Sequence, residues 1–205
     1  MKEYLTYCFE EAPDWDKVPE GKVDCFQWES GECYRPETSF RLCLVRNKGI
    51  CLQMKTNETR LRAVCKNRDE PCWQDSCMEF FFRPFPDREE YINIEMNPNG
   101  AYLSEIGKGK GDRRYIKELT DEQVTVSTEK DENGWSLSLF VPDSFIKALF
   151  GKGFDYDGKE FYANLYKCGD LTERPHYGSF APMTTLPPGF HNPQLFAKIR
   201  FSFFI

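Results

Sequence analysis

Apolar and polar residues alternate with a period of two over much of the chain, as strands with one buried face require. Tyr91–Asn97 is the clearest case, with Ile92, Ile94 and Met96 on one side and Tyr91, Asn93, Glu95 and Asn97 on the other. Upstream, Cys77–Arg83 sets Met78, Phe80 and Phe82 against Cys77, Glu79 and Phe81. Ser39–Arg46 and Ile50–Thr56 flank the turn Asn47-Lys48-Gly49 and read as a hairpin, and a short strand is expected at Leu61–Cys65. Asn97-Pro98-Asn99-Gly100 is a turn that leads into Ala101–Ile106. Val124–Lys130 and Trp135–Val141 flank a further turn at Asp131-Glu132-Asn133-Gly134. The one predicted helix is opened by Pro142-Asp143-Ser144, carries Phe145, Ile146 and Leu149 as its stripe and stops at Gly151. It is expected to cover an open end of the sheet. Beyond it, Phe161, Ala163 and Leu165 alternate with Glu160, Tyr162, Asn164 and Tyr166, and Leu195–Phe204 is the last strand.

The pattern thus predicts about ten strands and one short helix, an all-β antiparallel sandwich. Residues 1–38, acidic and rich in Pro and Trp with weak periodicity, read as an extension packed on that sandwich, with a short strand near Val23–Trp28; residues 39–205 form the sandwich itself. A Pro- and Asp-containing loop joins the two central strands, and a long loop, Gly169–Gln194, carries both histidines.

Composition narrows the function. The 18 phenylalanines supply a substantial core, and no apolar run reaches the ~18 residues of a membrane span. A net charge of −6 disfavours nucleic acid, whose binding rests on neutralised phosphates. The basic segment Gly107–Arg114 reads as a solvated hairpin loop because no strand-to-helix phosphate motif surrounds it. The N-terminal residues lack an apolar signal region, which predicts a cytoplasmic protein, or an extracellular one if a leader has been removed. Nine scattered cysteines without a CxxC pair read as reduced thiols packed as small apolar residues. Zinc is disfavoured, because there are two histidines and the Cys72/Cys77 spacing does not match a zinc knuckle.

The chemistry concentrates between Cys72 and Gly100. A carboxylate at Glu79 inside so apolar a run needs water or a partner. If the two central strands are neighbours, Glu79, Asn93 and Glu95 share one polar face with Trp73 close by. An indole beside oriented donors and acceptors is what a sugar ring needs. Blander readings stand beside this one: Trp73 as a plug at the sandwich edge, Glu79 paired with an Arg or Lys on a neighbouring strand, Phe190 as core and Tyr166 as an edge aromatic. Two carboxylates on one face also invite a glycosidase, retaining at a gap of about 5 Å and inverting at a wider one. Nucleophile motifs such as GxSxG are absent from the sequence.

The run Trp73-Gln74-Asp75-Ser76-Cys77-Met78-Glu79-Phe80-Phe81, followed by Tyr91-Ile92-Asn93-Ile94-Glu95-Met96-Asn97-Pro98, resembles the family 9 carbohydrate-binding modules. The nearest resemblance is to family-9-like domains that often occur alone, within the DOMON-like superfamily of β-sandwiches. Asn164-Leu165-Tyr166-Lys167-Cys168-Gly169-Asp170 and Pro188-Gly189-Phe190-His191-Asn192-Pro193-Gln194-Leu195-Phe196 are similar to the later signatures of the same family. The resemblance covers most of residues 39–205. It implies a jelly-roll-like strand order and non-catalytic binding, with a terminal sugar of a xylan- or glucan-type oligosaccharide held between two aromatic rings. Trp73 falls at the first aromatic position, Phe190 at the second, and Glu79 at a sugar-contacting carboxylate. Asn93 and Tyr166 lie at or beside polar contact positions, and Glu95 and Asn164 share the parity of that face. Phe190 stands where the binders carry a second Trp, and the spacing from Trp73 to Asp75-Ser76 is one residue shorter than theirs.

No cofactor is required by this reading. The resemblance is compatible with a structural calcium ion without naming its ligands, and Asp155-Tyr156-Asp157-Gly158 reads as a turn because it lacks the later ligands of an EF-hand. Haem, bound by some DOMON-like relatives, would draw on His176, His191 and Met183, but a loop histidine is more often a hydrogen-bonded structural residue. The expected partner is a carbohydrate chain end, with a glycoside hydrolase as a candidate associate. The competing reading is the same fold with a lapsed sugar site that serves as an interaction module.

Overall fold

A computed structural model describes residues 1–28, 33–184 and 189–204. The chain opens with β1 (Glu3–Phe9) and the two-residue β2 (Gly21–Lys22), then forms the hairpin β3 (Thr38–Val45) and β4 (Gly49–Thr56). The central meander is β5 (Cys77–Arg83), β6 (Tyr91–Met96), β7 (Tyr102–Gly107) and the short β8 (Arg114–Tyr115). A second hairpin, β9 (Thr125–Asp131) and β10 (Gly134–Pro142), leads into the helix α1 (Asp143–Phe150). The chain closes with β11 (Glu160–Cys168), β12 (Tyr177–Ser179) and β13 (Ala197–Phe203).

These strands form one curled sheet in the order β8-β7-β6-β5-β11-β13-β1-β3-β4-β10-β9, with β12 on β11 and β2 on β3. Its two halves close on a common core. Phe80, Phe82, Ile92, Ile94 and Leu165 from one half pack in the same buried cluster as Leu42, Leu44, Leu52, Leu137 and Leu139 from the other. Each such side chain contributes about 1.5–3 kcal/mol through burial. The architecture is the mostly antiparallel β-sandwich that the alternation predicts.

The strand that joins the halves lies in the segment read from sequence as an extension. β1 runs parallel to β13 from Glu3 to Cys8 and parallel to β3 at Cys8 and Phe9. Tyr4, Thr6 and Cys8 face inward, and the Thr6 hydroxyl donates to the Leu42 carbonyl. Two expected short strands are absent. Within Val23–Trp28 there is one bridge, Cys25 to Ser179. Residues 61–65 are irregular because the Val64 and Cys65 amides donate to Asp75 Oδ2, both at 2.9 Å, so a carboxylate takes the place of a partner strand. The long loop of residues 169–194 contains β12 and enters a 3-10 turn at Pro193.

α1 ends where glycine allows it to. Gly151 adopts φ +75°, a left-handed cap open to glycine at little cost. Phe145 and Ile146 are buried, and Phe150 meets Phe85 edge to face at 5.2 Å, so the helix closes one end of the sandwich. The Asp155 run is a turn, with Asp155 Oδ1 accepting the amides of Asp157 and Gly158 at 3.1 and 3.0 Å.

Candidate functional site

β5 is buried on both faces, and its second face is the polar one. The register sets Glu79 directly opposite Glu95 on β6 and Tyr166 on β11, while Phe81 lies between Asn93 and Asn164. The five polar residues expected on one face are therefore neighbours on it. Glu79 and Glu95 are 2% and 4% exposed. Glu79 Oε1 accepts from the Cys168 thiol at 2.8 Å, and Glu95 Oε1 accepts from Asn93 Nδ2 at 2.9 Å. The second oxygen of each carboxyl has no hydrogen-bond partner among the described residues. Among the described residues no Arg or Lys pairs with Glu79, so the salt-bridge reading of that residue does not hold.

Burial raises Glu79 well above the usual carboxylate range, helped by the Cys168 and Glu95 groups beside it. Burial likewise raises Glu95 to about 8 against the hydrogen bond from Asn93. Two acids face to face in a dry site hold their protons, and a protonated carboxyl can donate as well as accept.

A cation closes this face from the β7–β8 turn. Arg113 donates through Nη2 to Asn93 Oδ1 and, at 2.9 Å, to the Glu105 carbonyl; Nη1 donates to the Tyr91 carbonyl at 3.2 Å. Its guanidinium lies 4.2 Å from the Tyr91 ring centroid, and its Nε is buried without a hydrogen-bond partner. The basic loop read as a solvated hairpin thus folds one arginine onto the sheet. Sequence periodicity carries no sign of this, because Arg113 reaches the face from outside β5 and β6. Burial, then Arg113 and Lys110 of the same loop, together lower His191 to about 4. His191 pairs with the Tyr91 hydroxyl at 2.7 Å through Nδ1.

The aromatic residues are placed unequally. Trp73 is 39% exposed on the 3-10 turn Cys72–Gln74. That turn is anchored on both sides. Its carbonyls accept Asp170 N at 3.3 Å and Leu171 N at 3.1 Å, and the buried Asp75 binds Asn97 Nδ2 at 2.9 Å as well as the Val64 and Cys65 amides. An exposed indole on a fixed loop is a stacking surface. Phe190 is not its free counterpart. It lies parallel to the Tyr166 ring, centroids 4.1 Å apart at 16°, with Trp28 at 5.4 Å. Tyr166 is fully buried and donates to the Phe190 carbonyl at 3.2 Å. Asn164 is engaged by backbone: its Nδ2 donates to the Ala181 carbonyl at 3.1 Å and its Oδ1 accepts the Ala181 amide at 2.8 Å. Trp73, Glu79 and Glu95 thus form the chemically open part, while Asn93, Asn164, Tyr166 and Phe190 brace it.

Behind the Trp73 loop lies a second buried network. Lys167 Nζ donates to Glu58 Oε2 at 2.8 Å, to His176 Nε2 at 2.9 Å and to the Cys168 carbonyl at 2.9 Å. Glu58 also accepts from Ser76 at 2.9 Å and from the Trp135 indole at 3.4 Å. Burial and Lys167 lower His176 to about 4, so its neutral ring accepts from Lys167 and donates Nδ1–H to the Arg174 carbonyl at 2.8 Å. Met183 Sδ lies 3.4 Å from Asn164 Nδ2. Residues 185–188, including Pro188 of the later signature, lie outside the described residues.

Residues 8–201 match the family model described as carbohydrate-binding family 9. A provisionally named carbohydrate-binding protein from Bacteroides uniformis ATCC 8492 is 26% identical, with a TM-score of 0.81 over 98% of this chain and 99% of that one. A family 9 carbohydrate-binding module from Caldicellulosiruptor kristjanssonii in complex with cellotriose is 13% identical, with a TM-score of 0.72 over 100% of this chain and 95% of that one. The same identity and TM-score hold for the family 9 module from that organism in complex with glucose, over 100% and 97% of the two chains. No curated protein matches the sequence.

Proposed function

The chain belongs to carbohydrate-binding family 9, and from that premise we propose that it grips the terminal sugar of a glucan- or xylan-type oligosaccharide at the Glu79–Glu95 face. Carbohydrate binding without catalysis is the property of the family. The finer reading is carried by one observation: Glu79 and Glu95 each hold a buried, unpartnered oxygen, and the Cys168 thiol that donates to Glu79 lies 3.7 Å from the carbonyl of the partly exposed Trp73. Leaving such groups unpaired costs about 1–3 kcal/mol each, and a sugar hydroxyl satisfies them as donor or acceptor. Arg113 Nε makes no hydrogen bond and lies 3.9 Å from Glu105 Oε2.

Trp73 then supplies stacking for the C–H face of the ring. Phe190, held against Tyr166, forms a wall rather than the second jaw of an open clamp. Cellotriose and glucose occupy the family modules of C. kristjanssonii, which supports a glucose-type terminus as the first ligand to try. One stacked ring and a few hydrogen bonds leave an affinity of about micromolar to millimolar once the costs of association are met.

Saturation-transfer NMR tests this reading. Irradiating aromatic protons of the protein mixed with cellotriose or xylotriose should saturate chiefly the C–H protons of one terminal ring, and Trp73→Ala should abolish the transfer. Even transfer along the whole oligosaccharide, or transfer that survives Trp73→Ala, contradicts it.

A further inference from the structure

We propose that Cys77, Cys168 and Glu79 bind a thiophilic divalent cation, zinc first, beneath the Trp73 loop. Cys77 and Cys168 are directly opposite across β5 and β11, and Glu79 follows Cys77 by two residues on the same face. One ligand atom from each of the three lies within 4.8 Å of the others, and all three residues are buried. Tetrahedral zinc holds sulfur at about 2.3 Å and carboxylate oxygen at about 2.0–2.2 Å, so its ligands lie within that spacing of one another.

The second observation is the orphaned oxygen. Among the described residues Glu79 Oε2, in a residue 2% exposed, has no hydrogen-bond partner, and Oε1 accepts from Cys168, itself a member of the cluster. Glu95, directly across β5 and β6 from Glu79, carries another unpartnered oxygen but is not one of the three clustered ligands. The cysteine pair at Cys65 and Cys72 lies near a carboxylate too, but Asp75 Oδ2 accepts three N–H bonds and its Oδ1 lies 3.4 Å from Arg62 Nε. Cys43 and Cys51 are likewise opposite one another, across β3 and β4. The pair at Cys77 and Cys168 therefore combines two thiols with an unclaimed oxygen.

The chemistry balances without redox change. In the metal-free protein all three groups hold protons, since burial and the neighbouring groups raise both thiols and Glu79. The cation displaces two thiol protons and one carboxyl proton to solvent, leaving two thiolates and a carboxylate against a 2+ charge. The cation and the sugar of the glycan reading compete for the same Glu79 oxygen; the titration uses no sugar, so its failure leaves the glycan reading standing.

The test is a cobalt titration of the full chain, reduced and stripped with chelator, followed by near-ultraviolet absorption. One equivalent of Co²⁺ should give a thiolate-to-cobalt charge-transfer band that Zn²⁺ bleaches. The apparent affinity should rise at least about tenfold per pH unit across neutrality, because protons are released. The doubly substituted Cys77→Ser, Cys168→Ser protein should lose the band, and Cys43→Ser should keep it. Glu79→Gln, which leaves both thiols in place, should weaken binding at least about tenfold. Zn²⁺ should also raise the melting temperature of the wild type and leave that of the double variant unmoved. Failure of folded wild type to give the band overturns the proposal, even if a variant does not fold. So does an equal band in the folded double variant, or a Cys77–Cys168 disulfide in protein purified without oxidant.

Discussion

Glu79 and Glu95 make the site sensitive to pH, and the direction follows from their raised pKa. A carboxyl that keeps its proton in the folded chain stabilises the fold fully below its unfolded value of 4.5, and that stability is lost as pH rises through the folded value. For Glu95, raised to about 8, the loss falls between about pH 4.5 and 8. Urea unfolding of Glu95→Gln should show a flatter pH dependence there and greater stability at pH 8 than the wild type. An unchanged slope would place the proton elsewhere. Trp73→Ala should weaken glycan binding by about 1–2 kcal/mol, about five- to thirtyfold, with little change in melting temperature because the ring is partly exposed. The importance of Glu79 was legible in the sequence, since a carboxylate in the run Cys77–Arg83 needs an explanation. The roles of Cys168, Arg113 and Phe190 were not. Each depends on what stands opposite or above it, and alternation along one strand assigns a face without naming its partners.

At the scale of elements, two devices hold the site in place. The Lys167–Glu58–His176 network ties β11 to the loop ahead of Trp73, and both charges are buried. Lys167→Met leaves Glu58 uncompensated and should cost about 3–5 kcal/mol in chemical denaturation, whereas a loss under 1 kcal/mol would show the network is slack. The β7–β8 turn depends on Gly107, where an added Cβ would meet the Asp112 carbonyl oxygen at 1.6 Å. Gly107→Ala must shift the loop that carries Arg113, so calorimetry should show weaker glycan binding in a protein that still melts cooperatively. The hairpins and α1 were readable because turn residues and caps are local signals. The irregular course of residues 61–65 was not, because the acceptor that replaces a strand partner, Asp75, sits ten or more residues on.

For the molecule as a whole, the sandwich depends on a strand drawn from the first ten residues. β1 bridges the half that carries the site and the half that backs it, and removing residues 1–9 would leave β13 and β3 each with an open edge in mid-sheet. Such a deletion should abolish cooperative unfolding, which a thermal melt would register directly. Its alternation, Tyr4, Thr6 and Cys8 inward, is present in the sequence but muted by a threonine on the buried face. The central claim is that a carbohydrate end binds at the face of the two buried acids, beside the loop that exposes Trp73. Isothermal titration of cello- and xylo-oligosaccharides, each with a native and a chemically reduced end, into wild type, Trp73→Ala and Glu79→Gln tests it most directly. The account predicts saturable heat with native ends, weakened at least about fivefold in both variants and lost on reduction of the end that is gripped. Undiminished binding in both variants, or no heat with any sugar from folded wild-type protein, would contradict it.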